Sequence, residues 1–157
     1  DALPICDPYS LLDGDFLFLG EIPRQTEFEK GMPNAYYEQE GVEQVDFIED
    51  DTAMVMNLRD KGLIILSGCA HAGIINTISH ARHVTGVSDI HAVMDGFHLT
   101  GEHFAPFIPP TAEALQAFEP DYVIPTHCTG RTAVHYIEQK MPEQFLLNMA
   151  GTKLIFS

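Results

Sequence analysis

Three apolar runs of strand length each end in a short loop that carries a histidine, and each is followed by a helical pattern. This recurrence constrains the fold of the chain more than any other feature of it. Leu63-Ile64-Ile65-Leu66-Ser67 runs into Gly68-Cys69-Ala70-His71-Ala72-Gly73. Ile90-His91-Ala92-Val93-Met94 runs into Asp95-Gly96-Phe97-His98-Leu99, and Tyr122-Val123-Ile124-Pro125 into Thr126-His127-Cys128-Thr129-Gly130. After the first loop, Ile74, Ile75, Ile78, Ala81 and Val84 recur at helical spacing, with Gly86 as the stop signal. Helices are also expected from Ala112 to Phe118, after Pro109-Pro110-Thr111, and from about Arg131 to Lys140. Alternation of strand and helix implies a layered α/β domain. Upstream, Phe16-Leu17-Phe18-Leu19 reads as a short strand. Ala53 to Leu58 reads as a strand that turns through Asp60-Lys61-Gly62 into the strand before Gly68. A closing strand pair is expected around Phe145-Leu146-Leu147 and Lys153-Leu154-Ile155-Phe156. Residues 20–50, rich in Glu, Gly and Pro, read as a loop or arm of one domain spanning 1–157.

In such a domain parallel neighbours bring their C-terminal ends to one edge, where ligands collect. Three strand-end imidazoles on that edge suit a zinc, iron or manganese ion. For an isolated strand-end histidine the ordinary role is a structural hydrogen bond. His80, His83, His91, His103 and His135, on helix faces or in mid-strand and loop positions without a matching glycine context, are read that way. His71 and His127 share the strand-turn-helix context and are the metal-ligand candidates. For the middle ligand, His98 and Asp95 compete, since a strand-end carboxylate can bridge two cations. Cys69 and Cys128 each stand close to a histidine, which raises a thiol nucleophile as an alternative. Adjacency in sequence supplies neither a lowered pKa nor a base in reach, so packing or supporting roles are favoured for both.

The formal net charge of −15 argues against nucleic acid and anionic membrane as partners, because both would be repelled. A bound cation would reverse the sign locally and admit a small anionic substrate. No apolar run approaches the roughly 20 residues of a membrane span. The first residues lack the basic and apolar segments of a signal peptide, and the chain does not begin with Met, as expected of a processed chain or a piece of a longer one. Three cysteines without a C-x-x-C pair are not a disulfide framework, and a reducing cytoplasm is the default.

Taken together, Gly20-Glu21-Ile22-Pro23-Arg24, Gly68-Cys69-Ala70-His71-Ala72-Gly73-Ile74-Ile75-Asn76-Thr77, Gly96-Phe97-His98-Leu99 and Pro125-Thr126-His127-Cys128-Thr129-Gly130 carry a resemblance. From about residue 14 to 150 the chain resembles the dihydropterin-ribofuranosyl-aminobenzene-phosphate synthase-like subgroup of the metallo-β-lactamase superfamily. The resemblance implies the C-terminal half of an αββα sandwich, a mixed sheet with flanking helices. It also implies one or two divalent metal ions, zinc first and iron or manganese as alternatives. By position His71 resembles the histidine that completes the first metal's ligand set, and His127 the late histidine of the second. The bridging-carboxylate motif falls near Asp95 to His98, where the subgroup usually has Gly at the position of Asp95. The H-x-H-x-D-H motif of the fold's N-terminal half is absent from this chain.

Three functions follow as expectations. The first is part of a metal-dependent hydrolase acting on a small anionic substrate of phosphoester or pterin type. It would work through metal-bound hydroxide, with Arg24 at an anionic substrate group and the missing N-terminal half, or a second copy in a homo-oligomer, completing the site. The second is a non-catalytic truncated domain used for assembly, with exposed apolar surface where one sheet lacks its cover. The third is a thiol enzyme using Cys69 or Cys128.

Overall fold

The computed structural model describes residues 6–156, so the signal-peptide reading of residues 1–4 lies outside the described residues. Among the described residues eight strands and three α-helices follow in chain order. They are β1 (Tyr9–Leu11), β2 (Phe16–Phe18), β3 (Tyr36–Gln39), β4 (Val42–Val45), β5 (Ala53–Leu58), β6 (Gly62–Ser67), α1 (Ile74–Thr85), β7 (Ile90–Gly96), α2 (Ile108–Ala117), β8 (Tyr122–Thr126) and α3 (Arg131–Lys140). Six strands form one mixed sheet in the order β1-β2-β5-β6-β7-β8. The first four pair antiparallel, while β6, β7 and β8 run parallel, so the three histidine loops leave the sheet at the same edge.

Side chains alternate across the sheet with the period of two that a strand imposes. Val55, Leu63, Ile65, Val93 and Val123 face the helices and share one core with Ile74, Ile78, Ala81, Ile108, Ala112, Leu115, Ala133 and Ile137. Burying each large aliphatic side chain contributes about 1.5–3 kcal/mol before entropy is counted. Ile64, Ala92 and Ile124 point to the other face. There the C-terminal segment covers them through Leu146, Leu154 and Phe156. Leu147, Met149 and Ile155 of the same segment remain exposed.

The β5–β6 hairpin and α1 form where the patterns place them. Lys61 N–H donates to Leu58 O at 3.1 Å to close the turn. Gly86 ends α1 in the left-handed conformation that suits glycine, its N–H donating to Arg82 O at 2.9 Å. Three expectations differ from the structure. First, α2 begins before its prolines, at Ile108, because first-turn positions need no N–H donor. Second, the 20–50 segment is not all loop. It carries the two-stranded sheet β3–β4, every residue of which is exposed. Third, no closing strand pair forms. Phe145 makes a single parallel bridge to Val123, and the following apolar residues are drawn over the open sheet face instead of extending its edge. No helix among the described residues is long and apolar enough to cross a membrane.

Candidate metal centre

The loops after β6, β7 and β8 are stitched together at the sheet edge by small residues and hydroxyls. Ser67 Oγ donates to Gly96 O at 2.8 Å, and Gly96 N–H donates to Gly68 O at 3.1 Å. Thr129, fully buried, donates its hydroxyl to Thr126 O at 2.7 Å and accepts Phe97 N–H at 3.0 Å. The loops close so tightly that four non-glycine residues in them take positive φ: Ala70 (56°), Asp95 (91°), His98 (45°) and His127 (52°). Such conformations cost on the order of 1–3 kcal/mol each and collect at functional sites.

This edge brings five donor side chains into two groups that share Cys69. One is Cys69, His71 and His98, and the other is Cys69, His127 and Cys128. Within each group the potential ligand atoms lie within 4.8 Å of one another. The His71 and His98 rings meet edge to face with centroids 4.6 Å apart. Nδ1 of His98 is buried and has no hydrogen-bond partner. Burial foremost, with the imidazoles of His71 and His127, holds His98 below its ordinary pKa against the opposing pull of the Asp51 carboxylate. His98 is therefore neutral, the form that ligates metal. An orphaned, neutral imidazole beside a second imidazole and a thiol fits a soft or borderline cation.

Asp51 is a residue that sequence reasoning missed. Its Oδ2 accepts Ala72 N–H at 2.9 Å, and its Oδ1 stands 3.6 Å from His71 Nδ1. That distance exceeds a hydrogen bond but places a negative charge beside one ring nitrogen, which leaves the other as the lone-pair donor. Asp51 lies in a turn of ordinary acidic composition just before β5, and no spacing marks it.

Asp95 lies outside both donor groups, and its backbone carbonyl lies 3.4 Å from the Thr129 hydroxyl. Its φ of 91° belongs to glycine, which accounts physically for the glycine expected there. Asp95→Gly is expected to raise stability by about 1 kcal/mol in a urea titration and to leave metal content unchanged. Metal loss in this variant would make Asp95 a ligand.

A cavity of about 390 Å³ opens beside the first group, with Phe28, Phe97, Phe104, Phe107, His71 and His98 among its walls. His103, read as structural, also lines it, in edge contact with Phe104. Lys30 and not Arg24 supplies the basic side chain on the wall. Arg24 instead donates to the carbonyls of Phe47 and Ile48, holding the end of the β3–β4 hairpin. On another wall Glu29 caps α1 from a distant part of the chain. Its two oxygens accept Ile75 N–H at 2.9 Å and Asn76 N–H at 2.8 Å. Burial nevertheless pushes its carboxyl up to about 7. Asn76 Oδ1 accepts the Gln25 and Thr26 amides, which ties the 25–29 loop to α1.

Of the remaining histidines, His80 and His91 sit in polar contacts within the fold. His80 Nε2 lies 3.1 Å from Leu19 O, and His91 Nδ1 lies 2.7 Å from Asp121 on the face away from the helices. His135, like His83, is exposed. Burial pushes the Cys128 thiol up to about 11, so it is a poor nucleophile.

No family model matches the chain. It is 32% identical over 153 residues to a 7,8-dihydropterin-6-methyl-4-(beta-D-ribofuranosyl)-aminobenzene-5'-phosphate synthase of Methanocaldococcus jannaschii, covering 96% of this chain and 51% of that protein. It is 31% identical over 135 residues to an uncharacterized protein of the same organism, covering 85% of this chain and 47% of that one. The chain thus spans about half the length of the curated relatives it matches. Its fold is similar to the crystal structure of Tm1679, described as a metal-dependent hydrolase of the beta-lactamase superfamily. The TM-score is 0.81 at 24% identity, over 96% of this chain and 56% of that one. In sequence the chain is similar to these two proteins of Methanocaldococcus jannaschii, and its mixed sheet with flanking helices has the fold of that metal-dependent hydrolase of the beta-lactamase superfamily.

Proposed function

We propose that the chain is part of a metal-dependent hydrolase acting on a small anionic substrate of phosphoester or pterin type. The observation that carries this reading is the buried, unpartnered Nδ1 of His98 beside His71 in the wall of a cavity that four phenylalanines also line. His71, His98 and His127 would hold the cation, for which zinc suits the mixed nitrogen and sulfur donors, with iron or manganese next. A bound divalent cation supplies Lewis acidity and lowers the pKa of water. The chain's own contribution is positioning. Asp51 sets the donor nitrogen of His71, and the four phenylalanines exclude water and take the flat apolar part of a substrate. Lys30 draws an anionic group towards a site whose surroundings are strongly acidic. Further ligands would come from a partner segment or a second copy. The three free thiols suit a reducing cytoplasm.

Elemental analysis of the purified chain, with its intact mass taken on the same sample, tests the reading. Near-stoichiometric transition metal is expected, with affinity lowered more than about 10-fold in His71→Ala and in His98→Ala. A metal-free chain of the expected mass, with no co-purified partner, would end it. In that case the exposed Leu147, Met149 and Ile155 favour an assembly module, which sedimentation would reveal as stable self-association.

A further inference from the structure

The second donor group, Cys69, His127 and Cys128, is only partly used by the proposed hydrolase, which calls on His127 alone. We infer that Cys69 and Cys128 are metal ligands, and that with His127 they form a sulfur-containing site for a thiophilic divalent cation, adjoining the His71–His98 pair through the shared Cys69. This inference rests on the metal-binding reading above and adds to it the thiols as ligands.

Geometry carries the inference. Cys69 Sγ stands 3.7 Å from His127 Nδ1. A tetrahedral cation with metal–sulfur and metal–nitrogen bonds of about 2.3 and 2.0–2.1 Å would separate two such ligands by about 3.5 Å. The pair is therefore already near the spacing that a shared cation needs. The third ligand atom, Cys128 Sγ, lies within 4.8 Å of both, so small side-chain rotations complete the set. Cys128 Sγ also contacts Cys69 O at 3.4 Å, which keeps its side chain turned toward the Cys69 loop. The backbone is built for this convergence. His127 is held at a φ of 52°, and Gly96 is packed so closely between Cys69 and Cys128 that a Cβ there would stand 2.8 Å from Cys128 Sγ. Packing alone would be met as well by Ser or Ala at either cysteine. Two thiols and an imidazole on one point are the donor set of zinc, cobalt or cadmium rather than of magnesium or calcium. Binding balances as displacement: each thiol that ligates gives up one proton to solvent as its sulfur–metal bond forms.

Cobalt(II) tests this directly, because a thiolate ligand gives an intense near-ultraviolet charge-transfer band that imidazole and carboxylate ligands do not. The full chain, kept reduced by a phosphine, is titrated with cobalt(II) and bound cobalt is quantified on the same sample. The band is expected in the wild type, at about half its intensity in Cys128→Ser, which loses one of two thiolates, and unchanged in Cys6→Ser, whose thiol is exposed. Alkylation read by peptide mass checks the result without any substitution. Zinc is expected to protect Cys69 and Cys128 and not Cys6. Cobalt bound without a thiolate band, or cysteines alkylated equally with and without zinc, overturns the inference and leaves the histidine reading standing. No bound cobalt at all overturns both.

Discussion

Gly96→Ala is expected to destabilise the chain by about 3 kcal/mol, and to disperse both donor groups. The glycine has ordinary negative φ, so the cost is one of space and not of backbone conformation. A Cβ would collide with the carbonyl oxygen of Gly68 and stand 2.8 Å from Cys128 Sγ and 3.0 Å from Cys69 Cα. Two of these three neighbours are backbone and cannot rotate away. Relief requires the loop after β6 to move off the loop after β7, which breaks the 3.1 Å bond from Gly96 N–H to Gly68 O. Because Cys69 and His71 ride on the displaced loop, metal binding is expected to fall along with stability. A urea titration measures the first effect and a metal titration the second. Wild-type stability and affinity in the alanine variant would mean that the three loops are not locked against one another.

Glu29 is expected to make the chain lose stability as pH rises, which is the reverse of the usual carboxylate. Its carboxyl is held at about 7, above the ordinary 4.5, with burial as the leading cause and the hydrogen bonds from the Ile75 and Asn76 amides opposing it. A group whose folded pKa is raised binds its proton more tightly in the folded state. The stability it confers is therefore complete below about pH 4.5 and declines as pH rises to about 7. Beyond that it is flat. Ionising such a carboxyl in place costs on the order of 3 kcal/mol. In Glu29→Gln this slope is expected to vanish, leaving the difference between variant and wild type to change with pH across that window. The amide gives up one of the two caps on α1, so the variant is expected to be less stable than the wild type at low pH. Urea titrations of both chains from pH 4 to 8 measure it. A wild type that gains stability relative to Glu29→Gln across the window would show that the α1 amides, not burial, govern this carboxyl.

The order β5, β6, α1, β7, α2, β8, α3 was legible from periodicity, because sheet and helix leave distinct apolar spacings in their own sequence. The strand-end histidines were legible for the same reason: a loop between a strand and a helix in a parallel sheet has only one edge to occupy. His71, His98 and His127 meet there, while Asp95 falls outside the donor groups and Arg24 turns to the Phe47 and Ile48 carbonyls. The hairpin of 36–45 went unread because its exposed strands carry no alternation of buried and open positions.

The sequence by itself determined the run of elements from β5 to α3 and which edge the imidazoles reach, since both depend on local spacing and strand direction. Only the tertiary structure decided what surrounds those imidazoles. Asp51 reaches Ala72 across 21 residues, Glu29 reaches Asn76 across 47, and Cys69 meets His127 across 58. Contacts of that kind leave no periodic trace in either partner. They depend on the packing of loops whose own residues are free to be almost anything that fits, and so they exist only once the sheet has brought the loops together.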